Sequence, residues 1–152
     1  MTVEIVNLQD FVEVPEEEIR AALTHTMLEE LGRELNISVA VVGDGKIAEL
    51  NKTFRNEARP TDVLAFPLGE GEAGQEGEDV FGEIVISAER ARHEAAKRNA
   101  DPQRELILYA VHGMLHLTGY DDQSLEEQQE MRRREDEILK ALASQTRSNG
   151  PS

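Results

Sequence analysis

Two histidines and an aspartate are the residues best able to do chemistry in this chain. His112 and His116 lie four positions apart in the run His112-Gly113-Met114-Leu115-His116-Leu117-Thr118-Gly119-Tyr120-Asp121-Asp122. On a helix that spacing stacks both imidazoles on one face with Cβ atoms about 5–6 Å apart, close enough to converge on one ion. Gly119 can take a left-handed backbone that other residues resist, turning the chain so that Asp122 faces the two histidines. The set H-x-x-x-H-x-x-G-x-x-D is then two imidazoles and one carboxylate, leaving a coordination position for water or a substrate oxygen. Two histidines in a buried helix can instead be hydrogen-bonded core residues, but the glycine and aspartate at these offsets favour a metal. Zinc proteases with the same His spacing place a general-base Glu directly after the first His. Gly113 stands there, which disfavours peptide hydrolysis by that route.

The elements that must position these residues follow from apolar spacing and end signals. Residues 102–117 are apolar on most of their circumference, with Asp101-Pro102 as cap and first-turn proline, and predict a central helix stopped at Gly119. Ser124-Leu125-Glu126-Glu127 is a capping box for a last amphipathic helix ending near Ala143. Upstream, Pro15 and three glutamates open a helix carrying Ile19, Leu23, Met27, Leu28, Leu31 and Leu35. A short helix carries Ile47, Leu50 and Phe54, and another spans Ala88 to Asn99. Strands are expected at Val3–Leu8, Ile37–Val42, Val63–Phe66 and Phe81–Ser87, the third fenced by Pro60 and Pro67 as suits an edge. Gly69 to Asp79 holds four Gly, four Glu and one Asp and reads as a loop. The expectation is an α+β (mixed α/β) fold: about four short strands in one sheet packed with several helices, the central apolar helix carrying the metal ligands. Residues 1–143 form one domain in this reading, and 144–152 a flexible tail.

Composition removes several classes of function. The 152 residues contain no cysteine, which excludes disulfides, thiolate metal sites and a cysteine nucleophile. The longest apolar run, Leu106 to Val111, is far short of the roughly 18 residues that span a bilayer, and the N-terminus lacks the features of a secretory signal. A cytoplasmic, non-membrane protein is therefore expected. The net charge is −15, unfavourable on average for a polyanion. The mean conceals two segments of local charge +2, residues 46–59 and 88–104, each a place where RNA could be met, with weak and salt-sensitive binding.

Three blocks together resemble the YbeY family of bacterial single-strand-specific metallo-endoribonucleases, also called rRNA maturation factors. Residues 112–121 match the hallmark H-G-x-L-H-L-x-G-Y-D-H up to its last position. Leu50-Asn51-Lys52-Thr53-Phe54-Arg55 with Arg59-Pro60-Thr61-Asp62-Val63-Leu64-Ala65-Phe66-Pro67 is similar to L-N-x-x-[YF]-R and P-T-D-V-L-S-F-P, and Phe81–Ser87 to L-G-D-I-V-I-S. The resemblance implies hydrolysis of RNA phosphodiesters, in small-subunit ribosomal RNA 3′-end maturation and ribosome quality control. It implies one Zn2+ held by His112, His116 and Asp122, with Arg55 serving catalysis or substrate binding. Expected partners are single-stranded ribosomal RNA and the ribosome or its proteins, without DNA. Asp122 departs from the family's usual His, and its carboxylate is expected to shift preference toward a harder divalent ion. Arg59 is a weaker candidate for Arg55's task. Asp121 and Tyr120 match the motif and read as ligands or, equally, as turn residues or supports of the ligands; Thr61 and Asp62 read as loop-ordering residues, and His25 and His93 have no assigned role. A ribosome-assembly factor with a structural metal, and a hydrolase of another substrate, are the competing readings.

Overall fold

A computed structural model of the chain describes residues 3–55, 61–68 and 80–149, with the side chains of 54, 55 and 145–149 excluded. The order of elements is β1 (Val3–Asn7), α1 (Glu16–Leu31), β2 (Ile37–Val42), α2 (Asp44–Arg55), β3 (Val63–Pro67), β4 (Gly82–Ser87), α3 (Ala88–Arg98), α4 (Pro102–Leu117) and α5 (Leu125–Asn149). The four strands form one sheet in the order β1-β2-β4-β3. β1 and β4 run parallel to β2, and β3 is the antiparallel edge. The mixed α/β class and the four strands agree with expectation.

Alternation along the strands sorts the core into two faces. Ile37, Val39 and Val41 of β2 and Ile84 and Ile86 of β4 point into the main cluster, where Ile19, Leu23 and Met27 of α1 meet Leu106, Ala110 and Met114 of α4. Val42, Val85 and Leu64 point the other way and are covered by Ile47 of α2. α5 lies outside this first layer, burying Met131 and Ile138 against Ala22, Val111 and Leu115.

Two glycines let α4 approach the sheet closely. A Cβ on Gly113 would stand 2.7 Å from Ile84 Cγ2 and 3.2 Å from Val63 Cγ2. One on Gly82 of β4 would stand 2.7 Å from Leu117 Cδ1. Helix and strand thus each omit a side chain where the other's apolar residue enters. The position used by a protease base is, in this chain, a helix–sheet contact.

The expected end signals operate at several helices. Asp101 accepts from the Gln103 N–H at 2.9 Å, and Ser124 and Glu127 exchange reciprocal bonds of 2.9 and 3.0 Å. Two boundaries differ from the sequence reading. α1 stops at Leu31 because Gly32 adopts φ +71° and donates to the Leu28 carbonyl, so Leu35 packs on the core from a loop. α5 continues past Ala143 to Asn149, since the chain offers no breaker before Gly150-Pro151. The expected Gly69–Asp79 loop lies outside the described residues.

Candidate metal centre

α4 buries most of its surface and leaves the side chains of His112 and His116 about a quarter exposed. After Leu117 the chain turns: the Gly119 N–H bonds the His116 carbonyl at 3.1 Å, and Gly119 itself takes φ +114°. That turn returns Asp122 to the histidines, as the spacing predicts. The Asp122 N–H donates to Asp121 Oδ1 at 2.8 Å, and Gln128 Nε2 of α5 donates to the Asp122 carbonyl at 3.0 Å. Asp121 is thus a turn residue. Tyr120 packs with the outer cluster, and burial, then the neighbouring Glu30 carboxylate, raises its phenol pKa.

Asp122 Oδ2 lies 3.5 Å from His112 Nε2 and 3.4 Å from His116 Nε2, and the three donor atoms fall within 4.8 Å of one another. These distances are long for charge-assisted hydrogen bonds. The two His–Asp distances match the edge of a tetrahedron of ligands about 2.0–2.2 Å from a zinc ion, roughly 3.3–3.5 Å. The imidazole rings stand edge to face, centroids 4.8 Å apart and planes at 73°, with both Nε2 atoms turned toward the aspartate. The donor set therefore fits a divalent ion.

Sequence reasoning missed the residue that orients this set. Glu135 of α5, only 7% exposed, places Oε2 2.5 Å from His112 Nδ1. A carboxylate there accepts a hydrogen bond from Nδ1–H, which keeps the proton on Nδ1 and leaves the Nε2 lone pair of the neutral ring for a metal. Burial lowers the His112 pKa, but the bond and charge of Glu135, with the charges of Asp62 and Asp122, outweigh it and leave the pKa raised. The signal was available: Glu135 falls on the apolar stripe that Met131, Ile138 and Leu142 make along α5, where a lone carboxylate needs a partner.

Beside the histidines is a pocket of about 270 Å3 whose walls include Asp62, Tyr109, His112, Asp122, Arg132 and Glu135. Asp62 thus has a place in the site as well as a loop-ordering bond from its carbonyl to the Ser87 N–H at 3.0 Å. Burial, then the charges of Glu105 and Asp62, push the Tyr109 phenol well above its ordinary range. Arg55 closes α2 with its side chain outside the described set, and Arg59 lies outside the described residues. The basic segment 88–104 is largely occupied: Arg98 pairs with Glu105, Lys97 with Glu94 at 3.2 Å and Arg90 with Asp44 at 3.8 Å. Arg92 lies over the Phe11 ring at 4.9 Å.

The family model described as Endoribonuclease YbeY matches residues 4–143. The chain belongs to the YbeY family. An endoribonuclease YbeY of Pelotomaculum thermopropionicum is 42% identical over 149 residues, covering 93% of this chain and 97% of the relative. The Bacillus subtilis endoribonuclease YbeY is 43% identical over 114 residues, 71% of this chain and 73% of its own. A Thermotoga maritima protein solved in solution superposes with a TM-score of 0.65 at 30% identity, covering 97% of this chain and 93% of that one. YbeY membership thus extends over the sheet, the five helices and the ligand triplet together. No described helix is long and apolar enough to cross a membrane.

Proposed function

We propose that this chain is a single-strand-specific, metal-dependent endoribonuclease of the cytoplasm, acting in maturation of the small-subunit ribosomal RNA 3′ end and in ribosome quality control. The observation that carries this reading is the triplet of His112, His116 and Asp122, its donor atoms within 4.8 Å of one another beside a solvent-open pocket, in a chain of the YbeY family. Its partners are single-stranded ribosomal RNA and the ribosome or ribosomal proteins. Zn2+ is the expected ion, with Asp122 tolerating harder cations better than a third imidazole would.

His112 and His116 would hold a divalent ion through Nε2 and Asp122 through Oδ2, and a bound ion would supply Lewis-acid polarisation of the scissile phosphodiester. Glu135 holds the Nδ1 proton of His112, fixing the tautomer and the ring plane. Among the described carboxylates of the pocket, Asp62 neither joins the triplet nor bonds a histidine, so it is the group free to accept the proton of attacking water. Arg55, at the end of α2, serves phosphate contact through its guanidinium fork.

The test is cleavage of labelled single-stranded and duplex RNA by highly purified protein and by a His112→Ala, His116→Ala double variant. Cleavage confined to single strands and lost in a folded double variant is expected. Undiminished cleavage by the double variant would assign the activity to a contaminant and favour a binding role.

A further inference from the structure

We infer that Arg132 of α5 is a substrate-phosphate contact that sets how tightly the metal pocket holds RNA; this rests on the endoribonuclease reading above. Three consecutive arginines, Arg132, Arg133 and Arg134, lie on α5, and two are spoken for. Arg133 pairs with Glu130 and, at 2.6 Å, with Glu137. Arg134 bonds Glu30 at 2.7 Å, Glu137 at 3.2 Å and Glu29 at 3.4 Å, tying α5 to α1. Arg132 is exposed, makes no ion pair or hydrogen bond with any described residue, and lines the pocket that contains His112, Asp122 and Glu135.

Charge in the pocket gives that arginine a task. The described walls hold three carboxylates, Asp62, Asp122 and Glu135, and one cation, Arg132. Three carboxylates against a divalent ion leave one negative charge, which repels a phosphodiester entering from solvent. Arg132 cancels it at the point of entry. Its guanidinium presents a rigid fork of donors that match phosphate oxygens in pairs, and no acceptor among the described residues competes for them. In the basic segment 88–104, Arg90, Lys97 and Arg98 are paired with Asp44, Glu94 and Glu105, which makes a cation with no partner among the described residues the more consequential.

Binding of a fluorescent single-stranded RNA to the zinc-loaded protein, followed by stopped-flow anisotropy before cleavage proceeds, is measured across a salt series for wild type, Arg132→Ala, Arg132→Lys and Arg133→Ala. Loss of one phosphate contact reduces the slope of log K against log salt by about 0.7 for a single strand. Arg132→Ala is expected to bind about 3- to 10-fold more weakly at low salt with that smaller slope. Arg132→Lys keeps the slope with part of the affinity, and Arg133→Ala resembles wild type. With metal supplied, Arg132→Ala raises KM more than it lowers kcat. Equal binding by wild type and Arg132→Ala, or equal losses in Arg132→Ala and Arg133→Ala, overturns the inference. Failure of the metal-loaded wild type to cleave any RNA instead overturns the endoribonuclease reading.

Discussion

Removing the Glu135 carboxylate should separate metal affinity from fold stability. In Glu135→Ala, His112 loses the acceptor that lies 2.5 Å from its Nδ1, so the imidazole is free to rotate and to place its proton on Nε2, the metal-facing nitrogen. Loss of such a partner lowers metal affinity by about 10- to 100-fold, or roughly 1.4–2.7 kcal/mol. Glu135→Gln keeps an acceptor and removes the charge, and should fall at the lower end of that range. The metal-free fold responds differently, because a carboxylate only 7% exposed carries a burial cost that glutamine avoids. Above the raised His112 pKa its melting temperature should therefore hold or rise in Glu135→Gln while zinc binding weakens. Competition with a chromogenic zinc chelator at fixed pH, alongside thermal unfolding of metal-free protein by circular dichroism, measures both. Glu137→Gln, an exposed glutamate of the same helix paired with arginines, serves as the control and should leave zinc affinity unchanged. A folded Glu135→Ala protein that binds zinc within about threefold of wild type would refute the orienting role.

Gly113→Ala and Gly45→Ala should move stability in opposite directions. Alanine gains roughly 0.5–1 kcal/mol over glycine in a helix, but at 113 its Cβ would meet fully buried Ile84 at 2.7 Å, an overpacking cost of about 1–3 kcal/mol. Nothing lies within 4 Å of a Cβ at Gly45, so only the gain remains; urea denaturation compares them, and a stabilised Gly113→Ala would contradict the close approach of α4. Asp122→His should retain more zinc and less of harder divalent ions after dialysis against a metal mixture; an unchanged metal profile by mass spectrometry removes the role given to the carboxylate. The raised pKa of His112 fixes a sign for pH dependence in metal-free protein. A folded-state pKa above the ordinary value stabilises fully below about pH 6.5 and loses that contribution as pH climbs through the raised value. The stability difference between wild type and Glu135→Gln should accordingly shrink or reverse as pH rises through neutrality, and a difference that grows would show that Glu135 does not hold the proton.

What the chain discloses locally, it discloses well. The i, i+4 histidines, the left-handed glycine, the aspartate cap and the capping box each depend on residues within a turn or two of one another, and each takes the expected geometry. The missed features are long-range. Glu135 meets a partner 23 positions away, and Asp62 reaches the pocket only because β3 pairs with β4 beneath α4. Strand order has the same origin, since β2 joins β4 across an intervening helix and strand, and no local pattern encodes that choice. Charge counting by segment omits a related fact: a run of basic residues does not reveal that acids on neighbouring turns and helices hold Arg90, Lys97 and Arg98.

The site is divided between two helices of unequal attachment. α4 is set on the sheet through the Gly113 and Gly82 contacts, so its histidines share the rigidity of the core. α5, which carries Glu135 and Gln128, contributes none of its described residues to the main cluster and is attached through a smaller outer one and the Arg134 ion pairs. Helices held in this way open locally without global unfolding. The lifetime of a bound ion would then be governed by how often α5 lifts away, a process far faster than unfolding of the sheet. Exchange of metal with the surroundings becomes a local breathing rate, set by the outer helix and independent of the stability of the domain beneath it.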